Sequence, residues 1–136
     1  MLQFIILFFI TFLIFLVLDM IGINKVILPI FEKEIGHLMR DKPLLGWAAA
    51  FYVLYVLGVM YLVSYPYILG DLSLSQAIIN SAVIGLLAYG TYEFTSFSIM
   101  KDWTLKQLII DSLWGGILTS SSTTLGLLIF DRFFNK

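Results

Sequence analysis

Four long apolar stretches constrain this chain more than any other feature of its sequence. They cover about residues 2–23, 44–63, 76–99 and 107–130. Each holds the roughly 20 mostly apolar residues that an α-helix needs to cross about 30 Å of hydrocarbon. A helix also satisfies its own backbone hydrogen bonds, which the bilayer interior demands. The pattern predicts an all-α integral membrane four-helix bundle, with residues 1–136 forming a single transmembrane domain.

Composition supports a lipid bilayer as the surroundings of the chain. It is 60% hydrophobic and only 12% charged, whereas soluble domains carry about 25% charged residues. The formal net charge is −1, and no basic patch is present, so nucleic acid is not a predicted partner. The chain has no cysteine, which excludes disulfides, thiolate metal sites and thiol catalysis. The sequence indicates no particular cofactor or metal.

The first apolar stretch is expected to be a retained helix rather than a cleaved signal peptide. No basic segment precedes it, and no small-x-small cleavage pattern follows it. It is also longer than the roughly 7–15 residues of a signal-peptide core.

Basic residues in the short connections predict the orientation of the bundle. The first and third connections together hold six of the eight: Lys25, Lys33, Arg40, Lys42, Lys101 and Lys106. The second connection has none, and the remaining two, Arg132 and Lys136, lie in the tail. Because cytoplasmic loops are enriched in Lys and Arg, the first and third connections should face the cytoplasm and both termini the outside.

Local signals predict where helices begin and end. Ser73 with Gln76, and Thr104 with Gln107, have the spacing of a capping box. Pro66 and Gly70 are expected to break the chain between the second and third spans.

The first connection has two interpretations. After Pro29, apolar residues recur every three or four positions among polar ones, which is the spacing of an amphipathic helix. The segment is either a short amphipathic helix lying in the membrane interface or an extension of the first span, kinked at this proline.

Three carboxylates fall at one depth of the predicted bundle. Asp19, Glu93 and Asp111 each lie roughly 8–11 Å from the bilayer centre, on the predicted cytoplasmic side. Ionisable residues within a span are costly and usually mark function. If the three meet, they cannot all stay ionised unless a cation, a basic group or a proton compensates their charge.

The surroundings of these carboxylates predict a polar pocket. Tyr89 and Tyr92 lie near Glu93 along their helix, and Trp114 follows Asp111 by one turn. His37 is in the adjoining connection, and Tyr52 and Tyr55 point to the same end. The structural alternative is that the carboxylates pair with nearby Lys or Arg and only hold the bundle together.

Small residues predict close packing between the third and fourth spans. Gly115 and Gly116 begin two stripes of small residues on the fourth span, and Ser81 and Gly85 provide a smooth face on the third. In membranes such residues let helix backbones approach each other.

Several short motifs are distributed almost from end to end. They are Leu18-Asp19, Gly36-His37-Leu38, Phe51-Tyr52 with Tyr55, the stretch Ala88-Tyr89-Gly90-Thr91-Tyr92-Glu93, and Asp111 with Trp114-Gly115. On these motifs the chain resembles a family of small bacterial four-span membrane proteins described only as a domain of unknown function. The resemblance implies a multi-pass protein of the bacterial inner (cytoplasmic) membrane, and it implies no particular activity, cofactor or substrate.

The leading functional interpretation is a non-enzymatic pocket that binds a proton, a cation or a small cationic ligand, as in a small transporter or channel component. Asp19, Glu93 and Asp111 would bind, while Tyr89, Tyr92, Trp114 and His37 would shape the site. One alternative is a membrane enzyme or accessory protein acting on lipids, with a lipid head group as partner. Another is a structural or interaction protein, including a homo-oligomer. No known catalytic motif is present, which disfavours the enzyme.

Overall fold

The computed structural model describes residues 1–134, which form four continuous helical segments. Their α-helices are α1 (Leu2–Gly22), α2 (Leu28–Ile35), α3 (Leu45–Val59), α4 (Tyr65–Leu69), α5 (Leu74–Ile99) and α6 (Leu105–Phe134). The π-helical turn Ile23–Ile27 joins α1 to α2, and the turn Met60–Ser64 joins α3 to α4. All four segments are long and apolar enough to cross a membrane. The prediction of an all-α four-helix membrane protein is confirmed.

Helix α1 turns two of its three polar side chains, Thr11 and Asp19, toward the protein, and the third, Gln3, is exposed near its start. Its buried residues recur every three or four positions along one face: Leu7, Thr11, Phe15, Asp19 and Gly22. The other faces are apolar and largely exposed. In lipid an apolar side chain gains no hydrophobic stabilisation by being buried in protein, so Thr11 and Asp19 mark the inward face of this helix.

Helix α6 lies at the centre of the bundle and packs against both α1 and α5. Its closest approach is to α5, where a Cβ on Gly85 would overlap the backbone carbonyl of Gly115. At the next residue of each helix, a Cβ on Gly116 would lie 2.9 Å from the side chain of Leu86. The predicted close packing of the third and fourth spans is confirmed.

The segment formed by α3 and α4 is attached to the bundle mainly through its second half. The hydroxyls of Tyr55 and Thr119 lie 2.8 Å apart, and the Tyr67 hydroxyl donates a hydrogen bond of 2.6 Å to Asp131. Val56 is the first buried residue of α3. The first ten residues of α3 include no buried residue, and among them Tyr52 packs against Phe15 of α1.

The helices continue through two prolines instead of ending there. Each π-helical turn ends two residues before a proline, at Pro29 and at Pro66. Proline has no N–H and crowds the preceding turn, and the wider turn accommodates it without ending the helix. The expectation that Pro66 breaks the chain is therefore wrong: α4 continues to Leu69 and ends at Gly70, whose φ of 84° is the left-handed cap that glycine favours.

Of the two alternatives for the first connection, the structure shows the extension of the first span. The first segment stays helical from Leu2 to Leu38. Its α2 portion, after Pro29, is thus an extension of α1.

Both predicted capping boxes are present at helix starts. The Ser73 hydroxyl accepts from the Gln76 backbone, and the Gln76 side chain accepts from the Ser73 backbone. Thr104 and Gln107 make the same reciprocal pair at the start of α6.

The first and third connections meet at one end of the bundle, which we call the basic end because it carries Lys25, Lys33, Arg40, Lys42, Lys101 and Lys106. His37 and Asp102 link these connections, with their side chains 2.9 Å apart.

The basic end is expected to face the cytoplasm. Lys33 and Asp71 are exposed at opposite ends of the bundle, and the parent has no cysteine to react in the background. In intact cells, an impermeant thiol reagent should label Asp71→Cys and spare Lys33→Cys until the membrane is permeabilised. The reverse pattern would contradict the predicted orientation.

Candidate functional site

A cavity of about 300 Å³ lies near the basic end, lined by residues from all four helical segments. Its volume is at the lower end of the range typical of small-molecule sites. The lining combines two carboxylates, three aliphatic residues and seven aromatic residues: Asp19, Asp111, Ile23, Ile27, Ala88, Phe31, Phe51, Tyr52, Tyr55, Tyr89, Tyr92 and Trp114. The open position of the first half of α3 leaves room for this cavity.

Asp19 is held in place on α1 by two aromatic side chains. The indole N–H of Trp114 donates to its Oδ1 at 3.2 Å, and Tyr52 directs its hydroxyl at the same carboxyl group. Trp114 reaches this position because its ring fills the space where a Cβ on Gly22 would lie. A glycine one turn after Asp19 thus allows the indole to come close to α1.

Asp111 lies beside a second buried carboxyl group. Its side chain faces that of Glu93, which is 0% exposed. The indole N–H of Trp103 donates to Glu93 Oε2 at 2.7 Å and separates Glu93 from the basic end. Within residues 1–134, the other oxygen, Glu93 Oε1, has no hydrogen-bond partner.

Two further polar atoms near this pair are buried without partners in the described chain. They are Gln107 Nε2, one turn before Asp111 on α6, and Ser112 Oγ, on the residue that follows Asp111. Buried polar groups are rarely left unpaired in folded proteins. These atoms and Glu93 Oε1 lie outside the cavity lining and form a buried polar region next to Asp111 in sequence or space.

Aromatic rings form most of the cavity wall. A cation placed against the face of an aromatic ring is attracted by the ring's quadrupole, by about 0.5–2 kcal/mol depending on desolvation. Phe15 stabilises the wall from behind, since its ring packs edge-on against that of Tyr52 at a centroid distance of 5.2 Å. Rings and carboxylates together form a surface complementary to positive charge.

The cavity contains no side chain that would neutralise its carboxylates. No Lys, Arg or His is among the lining residues within the described part of the chain. Among the described residues, the Asp102 carboxylate lies 2.9 Å from the His37 ring nitrogen at the surface, outside the cavity lining. The same residues contain no group of three His, Asp or Glu close enough to hold a metal ion.

The structure brings together five of the seven residues that the sequence proposed for the pocket: Asp19, Asp111, Tyr89, Tyr92 and Trp114 line the cavity. It places Glu93 behind Asp111, covered by Trp103. It places His37 at the exposed link to Asp102, outside the lining.

Three aromatic residues at the site were not recognised from the sequence as part of it. Phe31 lines the cavity because the helix continues past Pro29, and helical spacing in that segment was the available signal. Phe51 was noted as a motif residue only. Trp103 lies in a connection, where no periodicity indicates which way a side chain points.

One comparison with known proteins is informative. A family model described as "Predicted membrane protein (DUF2177)" matches residues 4–128. The chain belongs to the DUF2177 family. No curated protein and no solved structure shows significant similarity to it. The DUF2177 match includes every residue of the cavity lining, so the cavity lies wholly within the part of the chain that defines the family.

Proposed function

We propose that this DUF2177 protein binds a small organic cation, an amine or a quaternary ammonium ion, as a small transporter or channel component of the bacterial inner membrane. The observation that carries the proposal is the lining of the cavity. Asp19 and Asp111 share it with seven aromatic rings, without a basic residue among the described lining.

The surroundings strengthen attraction to a cation. Asp19 is 2% exposed and Asp111 is 6% exposed, so water screens their charges little, and Coulomb interactions are stronger at low dielectric constant. Aromatic cages are a common way to recognise quaternary ammonium groups. The lack of a three-residue metal cluster in the described chain favours an organic cation over a metal ion.

A second candidate role is proton coupling, favoured by the contact between Glu93 and Asp111. Two buried carboxyl groups in contact cannot both be negative without compensation. A proton on Asp111 would compensate the charge when the cavity is empty of cation. Arrival of a cation would then release the proton, which would link cation binding to proton exchange.

The test is ligand-dependent stabilisation of the purified parent in lipid nanodiscs. Tetramethylammonium and choline are expected to raise the melting temperature, and 3,3-dimethylbutanol, the neutral isostere of choline, is not. Binding to the folded state alone adds about 2.7 kcal/mol of stability when the ligand concentration is 100 times Kd. If neither cation stabilises the protein, or the neutral isostere stabilises it equally, the proposal is wrong.

A further inference from the structure

We propose that the ligand is a single-chain amphiphile drawn from the bilayer, with its cationic head group in the cavity and its alkyl chain in an adjoining groove between α3 and α5. This inference rests on the proposed function and names the ligand class. It also implies that the ligand enters sideways from the lipid.

The groove has a volume of about 260 Å³ and shares two walls with the cavity, Phe51 and Tyr55. Beyond them it is lined along α3 and its π-helical turn by apolar residues up to Leu62, and on the α5 side by Ile84. From Phe51 to Leu62 it extends about 16 Å, at about 1.5 Å per residue. The groove therefore leads from the carboxylates toward the middle of the bilayer.

Gly58 forms part of the groove, and a Cβ added there would meet nothing within 4 Å. The missing side chain widens the groove at its midpoint. Tyr55, at the junction with the cavity, has its hydroxyl occupied by Thr119, so it presents its ring to a chain passing from one compartment to the other.

The two compartments differ in chemistry as the two ends of an amphiphile do. The cavity has two buried carboxylates and no basic residue among its described lining, which complements a positive head group. The groove has only apolar side chains and the ring of Tyr55, which suit an alkyl chain. A small soluble cation would occupy the cavity alone, and its binding would not explain why the groove is continuous with the cavity.

Lateral access follows from the position of α3. The residues of α3 before Val56 are not buried, and this part of the helix forms one side of both compartments. An amphiphile already in the bilayer would place its head group in the cavity while its chain stays in an apolar environment. It would not have to cross water.

Two matched variants on α3 separate the groove from the cavity. Gly58→Leu places a side chain in the groove from a Cβ position with no protein atom within 4 Å. Gly46→Leu adds the same side chain to the same helix, again from a Cβ position in open space, outside both compartments. Both replace an exposed glycine of the α3 helix by the same residue. Retained stabilisation by tetramethylammonium would show that each variant is folded with a working cavity.

The experiment uses an alkyltrimethylammonium probe with a diazirine near the end of its chain, photolysed with the protein in nanodiscs. In the parent and in Gly46→Leu, labelling is expected to concentrate on Leu54, Leu62 and Ile84, and to be displaced by excess tetramethylammonium. In Gly58→Leu this labelling should fall at least fivefold. An alkyl sulfate probe with the same chain should label lipid-facing positions in general, with no preference for these groove residues.

The outcomes distinguish the two proposals. Suppose that tetramethylammonium stabilises the parent, but that the ammonium and sulfate probes label the same positions or that Gly58→Leu is labelled like the parent. The proposal of an amphiphilic ligand is then wrong, while the proposal of an organic cation in the cavity stands. Photo-cross-links between two copies of the chain through the groove would also overturn the amphiphile proposal, because the groove would then be an interface between protomers. If tetramethylammonium does not stabilise the parent, both proposals fail.

Discussion

Gly85→Leu is expected to prevent the four-helix bundle from forming. A Cβ at this position would overlap the carbonyl oxygen of Gly115, a backbone atom that cannot rotate away. Overpacking in a well-packed core costs about 1–3 kcal/mol, occasionally more. The free-energy cost of Gly85→Leu should be at least at the upper end of this range, because the helices themselves must separate. The melting temperature in detergent should fall below that of every other variant described here, or the protein should aggregate.

Gly58→Leu is the control for this prediction, because it makes the same replacement in a helix but in open space. Gly116→Leu should be intermediate, since its nearest neighbour is the side chain of Leu86, which can move. Equal melting temperatures for Gly85→Leu and Gly58→Leu would show that α5 and α6 do not pack through their glycines.

The second large effect is expected on ligand binding when one charge is removed from the cavity. Asp19→Asn keeps an oxygen that accepts the Trp114 N–H, so the variant should fold. Truncating one member of a buried charge pair costs about 2–5 kcal/mol of binding free energy, so affinity for tetramethylammonium should fall by more than about tenfold. Asp111→Asn should act in the same direction. Titration of nanodisc samples by isothermal calorimetry measures the loss.

Two comparisons complete this test. Glu93→Gln should weaken binding less than Asp19→Asn, because Glu93 lies behind the cavity and not in its lining. In the parent, affinity should decrease as the pH falls, since protonation removes the negative charge that attracts the cation. If Asp19→Asn and Asp111→Asn instead melt early and no cation stabilises the parent, the carboxylates have a structural role and the pocket hypothesis fails.

The fold could be predicted because bilayer dimensions leave little choice. Roughly 20 apolar residues form a spanning helix, and the capping pairs Ser73–Gln76 and Thr104–Gln107 indicate where two of the helices begin. Pro66 was misjudged because the rule against proline in helices assumes an α-helical hydrogen-bond ladder. A π-helical turn before the proline removes that conflict.

The sequence predicted the height of the site residues in the bilayer better than the direction in which their side chains point. Residue counting along a helix gives height at about 1.5 Å per residue, which indicated that Asp19 and Asp111 share a layer. It does not say which side chains in that layer face a common space. Glu93 and Tyr89 lie one turn apart on α5, yet Tyr89 lines the cavity while Trp103 covers Glu93.

Contacts made by the connections were beyond prediction from sequence. His37 has the chemistry for a pocket residue, but it meets Asp102, which is 65 residues away in the chain. A contact between two connections depends on how the helices that carry them are placed. Neither helical periodicity nor charge counting provides that information.

The π-helical turn Ile23–Ile27 has a consequence for how this chain can change in length during evolution. Such a turn contains one residue more than an α-helical turn, so a single-residue deletion there could revert it to regular helix and leave Asp19 and Phe31 on their present faces. The same deletion within α6, which is α-helical throughout Leu105–Phe134, would rotate every later side chain by about 100°. Insertions and deletions among relatives should therefore collect at the two widened turns, and the length of α6 should be invariant.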